Sequence, residues 1–425
     1  MKKIFITIVL FSVFVFIAPK FIGAIVETEY QTALKKLEEN PAVTIKSTNF
    51  NRGWFRGQVV TEMTIHLQQE GVGNLDLVIE DDLYFGPVVF TDEGIEFALS
   101  YAKSNINFTD LLIDEEIESF IKNKIHLSTL LTFSKDIVTR IAIDEVSKEV
   151  DGNKIVSAKA LGKFVLENES RVYGDFNWAG LSAQTSDEIF VLGGIDFSLD
   201  QKLIAGSYYQ GNAISTGGVD FSLSSLEAKD AAGNSVFSLS NLHINAMSSV
   251  NNDLMEIKMN YHVDKLVTAG QQLEHANLDV VLNNLDITVM QQASTFLAEL
   301  SDDDVFSTAN MNELSVLTTQ LLANDPEIAI EDFSVVTPEG KIESTMKGHV
   351  DKKLFDSANF MSIMNAINAT AQGKAPVDFF AKLGMLPVIE HYVDQGFIIK
   401  KDKQLSVNLN YKQGQLSING NVISL

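Results

Sequence analysis

The sequence predicts a mainly β (α+β) protein: a large antiparallel β-sheet body with a helical insertion near the C-terminal third, preceded by one N-terminal transmembrane helix. Three observations carry this reading. Apolar and polar residues alternate with period two over much of the chain after Pro41. Breakers rich in glycine and asparagine separate those runs at short intervals. Before Pro41 lies a stretch from Ile4 to Ala18 that carries no charge.

At the N-terminus, Lys2 and Lys3 precede that stretch, and Phe21 to Val26 continues it after Pro19-Lys20. Two outcomes are open. A cleaved signal peptide would be cut after Ala24, where Ile22 occupies a position that favours a small residue. A retained signal anchor over residues 1–26 would use Ile4 to Val26, about 34 Å of helix at 1.5 Å per residue. That spans a hydrocarbon core of about 30 Å, with Lys20 snorkelling to the outer interface. The anchor is the better fit, and it leaves Lys2 and Lys3 inside. Residues 27–40 then read as a juxtamembrane helix with Val26, Tyr30, Leu34 and Leu37 on one face, ended by Asn40-Pro41.

Residues 41–425 read as one β-rich domain. Met63, Ile65 and Leu67 alternate with polar neighbours, as do Ile195/Phe197/Leu199, Val219/Phe221/Leu223, Ile257/Met259/Tyr261/Val263 and Leu405/Val407/Leu409/Tyr411. Asp151-Gly152-Asn153, Gly193-Gly194, Gly217-Gly218 and Ala232-Gly233-Asn234 read as the turns between them. D-F-S-L at 196–199 and 220–223, with V-F-S-L at 236–239, suggests successive strands of a meander. Helical periodicity predicts segments at about 290–324 and 357–395. The first carries Met311, Leu314, Leu317 and Leu321 on one face; the second is capped by Ser357, with Phe360, Met364, Ile367 and Ala371 on one face. A further helix begins near Pro376, is kinked or split by Pro387 and stops at Gly396. The chain closes in short strands, with a hairpin at Asn419-Gly420.

Composition narrows the function. There are 56 acidic and 32 basic residues, a formal net charge of −24, which argues against a nucleic-acid partner. No cysteine is present, which excludes disulfides, thiolate zinc sites and cysteine nucleophiles. The seven histidines form no metal-ligand spacing, and His66 and His243 fall in the polar phase of strands. No phosphate-binding glycine loop or nucleophile elbow occurs. Asp302-Asp303-Asp304 has the oxygen ligands calcium prefers, but after Ser301 it reads more simply as a helix start. No catalytic residue, cofactor or metal site is expected.

Two glycine-aromatic clusters stand out. Arg52-Gly53-Trp54-Phe55-Arg56 places a tryptophan between arginines, and Gly86-Pro87 follows Tyr84-Phe85. Each reads as a bend in the sheet with aromatics packed over it, with Trp54 or Phe55 buried and Gly53 at positive φ. The competing reading is an interaction site in which Arg52 or Arg56 holds an anion.

With these features the chain resembles the YdgA-like family of bacterial membrane-anchored extracytoplasmic proteins. The resemblance rests on the N-terminal span, the R-G-x-F element Arg52-Gly53-Trp54-Phe55, the later Gly86-Pro87, and the terminal Tyr411, Gly414, Leu416, Ile418, Asn419, Gly420 hairpin. The family typically shows histidine before Gly-Pro, where this chain has Phe85. The resemblance implies a single-pass inner-membrane protein of a Gram-negative envelope with its body in the periplasm and no assigned catalytic residues. The expected function is a non-enzymatic envelope protein that binds an apolar ligand, such as a lipid, or an envelope protein partner along its sheet. The alternative is an envelope hydrolase with a site built from scattered carboxylates and histidines. A continuous apolar trough favours the first, and a deep polar pocket gathering titratable groups the second.

Overall fold

The computed structural model describes residues 2–67, 73–108, 124–150, 152–268, 271–299, 307–356 and 359–423, with the backbone alone for residues 2–15, 67, 73, 108, 150, 298, 299 and 360. The fold is mainly β, 61% strand, and its strands form one 24-stranded antiparallel sheet beside a small two-stranded hairpin, Val88–Thr91 with Gly94–Phe97. Strand follows strand across the main ladder. It runs from Val43–Arg52 through Arg56–Leu67, Gly73–Phe85, Ser100–Phe108, Ile125–Leu131, Ile137–Ile143, Ala160–Glu167, Arg171–Trp178 and Ile195–Ala205. The long strands Ile214–Asp230, Ser235–Asn251, Leu254–Thr268 and Gln271–Asp286 follow, then Glu327–Thr337, Gly340–Val350, Ile367–Pro376 and Gln404–Lys412. Gln415–Ile418 and Asn421–Ile423 close it.

Turn chemistry sets the register as expected at several points. Gln413-Gly414 and Asn419-Gly420 all adopt positive φ, the requirement of a tight two-residue hairpin. The two D-F-S-L segments are direct neighbours, Phe197 opposite Phe221. Gly217-Gly218 is a correction: it lies inside the strand Ile214–Asp230, where Gly217 (φ 127°) lets the backbone approach Asp200 closely.

Six helices are described. Helix α1 (Lys2–Leu37) is continuous through Pro19, so the expected anchor and juxtamembrane helix are one element. Ala18, Ile22 and Val26 of α1 are buried against Val59, Leu83, Phe85, Leu99 and Ala102 of the sheet, so the outer part of the expected span is docked on protein. Among the described residues no helix is long and apolar enough to cross a membrane. The run from Ile4 to Val15 falls outside the described side chains.

Helices α2 (Ile287–Glu299) and α3 (Thr308–Leu322) answer the first predicted helical segment, with Ser307 capping α3 by accepting from the Asn310 amide. Asp302 to Asp304 and Ser357 lie outside the described residues. The second segment is corrected. Helix α4 (Ile363–Ala366) is a single turn, and Ile367 and Ala371 belong to the strand Ile367–Pro376. Ile367, Ala369, Ala371, Gly373 and Ala375 alternate with polar residues, and this period-two set outweighed the helical spacing. Helices α5 (Val377–Lys382) and α6 (Leu386–Asp394) show the split before Pro387, and Gly396 stops α6 at φ 76°.

Candidate functional site

A β-strand sends alternate side chains to opposite faces, so cross-strand partners form rows across a sheet. One row runs Leu199, Val219, Ala246, Met259, Val280, Ile330, Met346, Ala371, Leu409 and Ile418, ten strands without a polar side chain. A second on the same face runs Phe176, Phe197, Phe221, Ile244, Tyr261, Leu278 and Phe333. The opposite face carries Asn177, Asp196, Ser222, His243, His262, Asn277, Ser334, Glu343, Lys374 and Ser406 in equivalent pairings. At about 4.8 Å per strand the ten-strand row is about 43 Å long.

A sheet face of that composition normally packs against a second layer. Here every member of the ten-strand row is only half-buried, and in the rows beside it Ile328 and Phe333 are 44% and 41% exposed. The whole chain exposes 24854 Å². A globular protein of this mass exposes about 16,000 Å². The sheet is therefore largely a single layer, and its apolar face is covered only locally. α1 covers the strands nearest Val43–Arg52, and α2 packs through Ile287 on Ile214 and Met255.

Beneath α1 a small cavity of about 170 Å³ holds a polar cluster. The Tyr30 hydroxyl donates to Asp81 Oδ2 (3.1 Å) and lies 2.9 Å from the hydroxyl of fully buried Thr61. Burial pushes the Asp81 carboxyl above its usual range, against the opposing effect of hydrogen bonds from Ser104 and Tyr30. Burial and the nearby Asp81 charge likewise raise the Tyr30 phenol. Sequence reasoning missed this site, although the helical spacing Ala18, Ile22, Val26, Tyr30 extends the face it had recognised from Val26 onward.

The glycine-aromatic clusters meet at one end of the sheet. Arg52 to Arg56 form the turn joining the first two strands. Gly53 donates its amide to the Arg56 carbonyl (2.9 Å) and does not adopt positive φ. A Cβ there would lie 2.7 Å from that oxygen, so close approach, not backbone handedness, requires glycine. The expected burial of the aromatics is also corrected: Trp54 is 47% and Phe55 48% exposed. Both lean on α1. The Trp54 indole donates to the Phe16 carbonyl (2.8 Å), Phe55 meets the Phe16 ring edge to face at 5.9 Å, and Lys20 Nζ stands 4.9 Å from the Trp54 ring. Arg52 pairs with Glu27 of α1 at 2.9 Å. Phe85 hydrogen-bonds the Phe55 carbonyl and fills the space beside Gly23. Gly86 follows, pressed so tightly against the Ala98 carbonyl that a Cβ would lie 1.8 Å from it. From Pro87 springs the small hairpin, whose inner Val89 packs on Tyr101 and Leu130 while Phe90, Ile95 and Phe97 are 64–73% exposed.

The polar face has an open cavity of about 750 Å³ lined by Asp82, Asp92, Lys103, His126, Arg140 and Lys163 among others. Several of its charges are paired, Lys103 with Asp92 (2.5 Å) and Arg140 with Glu93 and Glu96 (2.9 and 3.0 Å), and His126 Nε2 lies 3.1 Å from Asp144. The ion pair with Lys103 lowers Asp92 and raises Lys103, moving both away from the near-neutral values acid–base catalysis needs. Among the described residues no cluster of His, Asp and Glu suits a metal ion.

The full chain, residues 1–425, matches the family described as bacterial protein of unknown function (DUF945), and the protein belongs to that family. Among curated proteins and among solved structures nothing matches it.

Proposed function

We propose that this protein is a single-pass inner-membrane protein whose periplasmic body accommodates lipid acyl chains along the apolar face of its sheet, without catalysis. The observation that carries the reading is the ten-strand apolar row, half-buried at every position. Water-facing apolar area costs about 25 cal/mol per Å², so a row of this length favours an occupant. Three features favour acyl chains over a second protein sheet. The row offers no side-chain donor or acceptor for a polar partner. α1 and α2 stand on the same face and obstruct a flat sheet at the usual packing distance of about 10 Å. Exposed Phe16, Phe21 and Ile25 continue the apolar surface along α1 toward the N-terminal stretch.

The same geometry shortens the proposed anchor. Because Ala18, Ile22 and Val26 pack on the sheet, the span runs from Ile4 to about Ile17, some 21 Å of helix at 1.5 Å per residue, a length met by local thinning of the bilayer. Lys2 and Lys3 stay on the cytoplasmic side.

Trp178 tests the acyl-chain reading. It lies on the apolar face, opposite Ile195 and Ala160, and Trp54 is the chain's other tryptophan. A Trp54→Phe variant of the full chain, reconstituted in nanodiscs of lipids with brominated acyl chains, should show quenched Trp178 emission relative to unbrominated lipid. Unquenched Trp178 in protein of unchanged circular dichroism refutes lipid uptake on this face.

A further inference from the structure

We infer that the Arg52–Arg56 turn and the exposed side of α1 form a collar seated in the headgroup region of an anionic phospholipid bilayer, an inference that rests on the anchored reading above. The turn stands where the apolar N-terminal stretch emerges, since Phe16 of α1 is its contact residue. Phe16, Phe21, Trp54 and Phe55 are all exposed at this corner. In water that grouping is unfavourable; at a bilayer interface it is the favoured composition, because tryptophan and phenylalanine sink into the acyl boundary while cations reach the phosphates.

The cations are in place. Lys20 stacks on Trp54, and Arg56 has no ion-pair partner among the described residues, whereas Arg52 is partly neutralised by Glu27. A cationic corner on a chain of net charge −24 is unexpected unless something negative meets it. The geometry of Trp54 suits the role. Its indole N–H is already satisfied by the Phe16 carbonyl, so the ring can enter the interface without leaving a donor unpaired. The hairpin Val88–Phe97 is rooted next to the turn through the Phe85–Phe55 hydrogen bond but folds onto Tyr101 and Leu130 on the opposite face of the sheet from α1, so the collar consists of the turn and α1. The collar thus fixes how deep α1 enters the bilayer and holds the apolar sheet face at the membrane surface, where an acyl chain can pass to it.

The test uses the full chain in vesicles of phosphatidylethanolamine and phosphatidylglycerol, with bromines placed either near the headgroup or deep in the acyl chain. The difference between wild type and Trp54→Phe isolates Trp54 emission without touching Trp178, and flotation after alkaline washing reports the anchor separately. Floating protein whose Trp54 is blue-shifted and quenched more by shallow than by deep bromines supports the collar. Floating protein with unquenched Trp54 overturns it and leaves the anchor standing. Protein that washes off overturns both. Arg56→Glu should reduce shallow quenching in the anionic vesicles and leave it unchanged in phosphatidylcholine alone. Equal effects in the two overturn the electrostatic part.

Discussion

The sharpest consequence of a single-layer sheet is that two of its large apolar side chains can be altered at modest structural cost while ligand retention collapses. Ile328 and Phe333 lie on the apolar face opposite Leu282 and Leu278. A phenylalanine presents about 200 Å², so 41% exposure leaves about 80 Å² of Phe333 facing outward. Covering that area with an acyl chain is worth about 2 kcal/mol at 25 cal/mol per Å², or about 30-fold in affinity. Ile328, 44% exposed, contributes comparably. The double variant Ile328→Gln, Phe333→Gln should therefore lose at least about tenfold of the lipid that co-purifies with wild type, even if a bound chain covers only part of each side chain. The stability cost should be about 1 kcal/mol per site, typical of a partly exposed position. In a closed core, by contrast, removing such side chains costs about 2–5 kcal/mol each. The assay is lipid per folded protein by mass spectrometry after purification in mild detergent, beside a thermal melt. Wild-type lipid content in a folded double variant would refute the apolar face as a binding surface, and a melt lowered by a core-sized amount would refute the single layer.

Four further variants probe the α1 end. Because burial raises Asp81 in the folded protein, the folded state binds its proton more tightly than the unfolded chain does; its contribution to stability is full below the unfolded pKa and is lost as pH rises through the folded one. Asp81→Asn should accordingly raise the Tm at neutral pH and converge with wild type in acid, and pH-independent melting differences would contradict this. Gly86→Ala should lower the Tm and open the Val88–Phe97 hairpin to proteolysis, since its Cβ would meet a backbone oxygen that cannot move aside; unchanged protease resistance would count against that packing. Gly53→Ala should destabilise more than Trp54→Ala, because the first strains a tight turn and the second removes a half-exposed ring; the reverse order in thermal melts would restore the buried-aromatic reading.

The alternation Ile195-Asp196-Phe197-Ser198-Leu199 was enough to read a strand with one apolar face, because period two is a local property of the pleat. Asn419-Gly420 was enough to read a hairpin, because only those φ values close it. What was illegible was the number of layers. Half-buried Val219 and fully buried Val59 occur in equally apolar strands, and only the position of α1 distinguishes them. The helix over Ile367 and Ala371 failed for a related reason: short stretches of alanine satisfy both periods, and pairing with Gly340–Val350 and Gln404–Lys412 decided the outcome. The role of Trp54 was missed because the helix residues it contacts, Phe16 and Lys20, lie more than thirty residues away in the sequence.

A sheet built by adding neighbours has a further physical consequence. Each strand of the ladder draws its backbone hydrogen bonds from the two strands beside it, so stability is a sum of local pairings, as in repeat proteins, rather than the property of one enclosed core. The ends of such an array are its weak points, because edge strands expose unpaired backbone groups. One end is held by α1, which clamps the first strands through Val26, Tyr30 and Phe50. At the other end of the main ladder the last described strand is the three-residue Asn421–Ile423. An occupant lying along the apolar rows would contact many consecutive strands at once and couple pairings that are otherwise independent. Bound lipid should therefore sharpen as well as raise the thermal transition, whereas delipidated protein should melt over a broader range. A delipidated sample that melts as one equally sharp transition would show that the ladder is cooperative without its ligand.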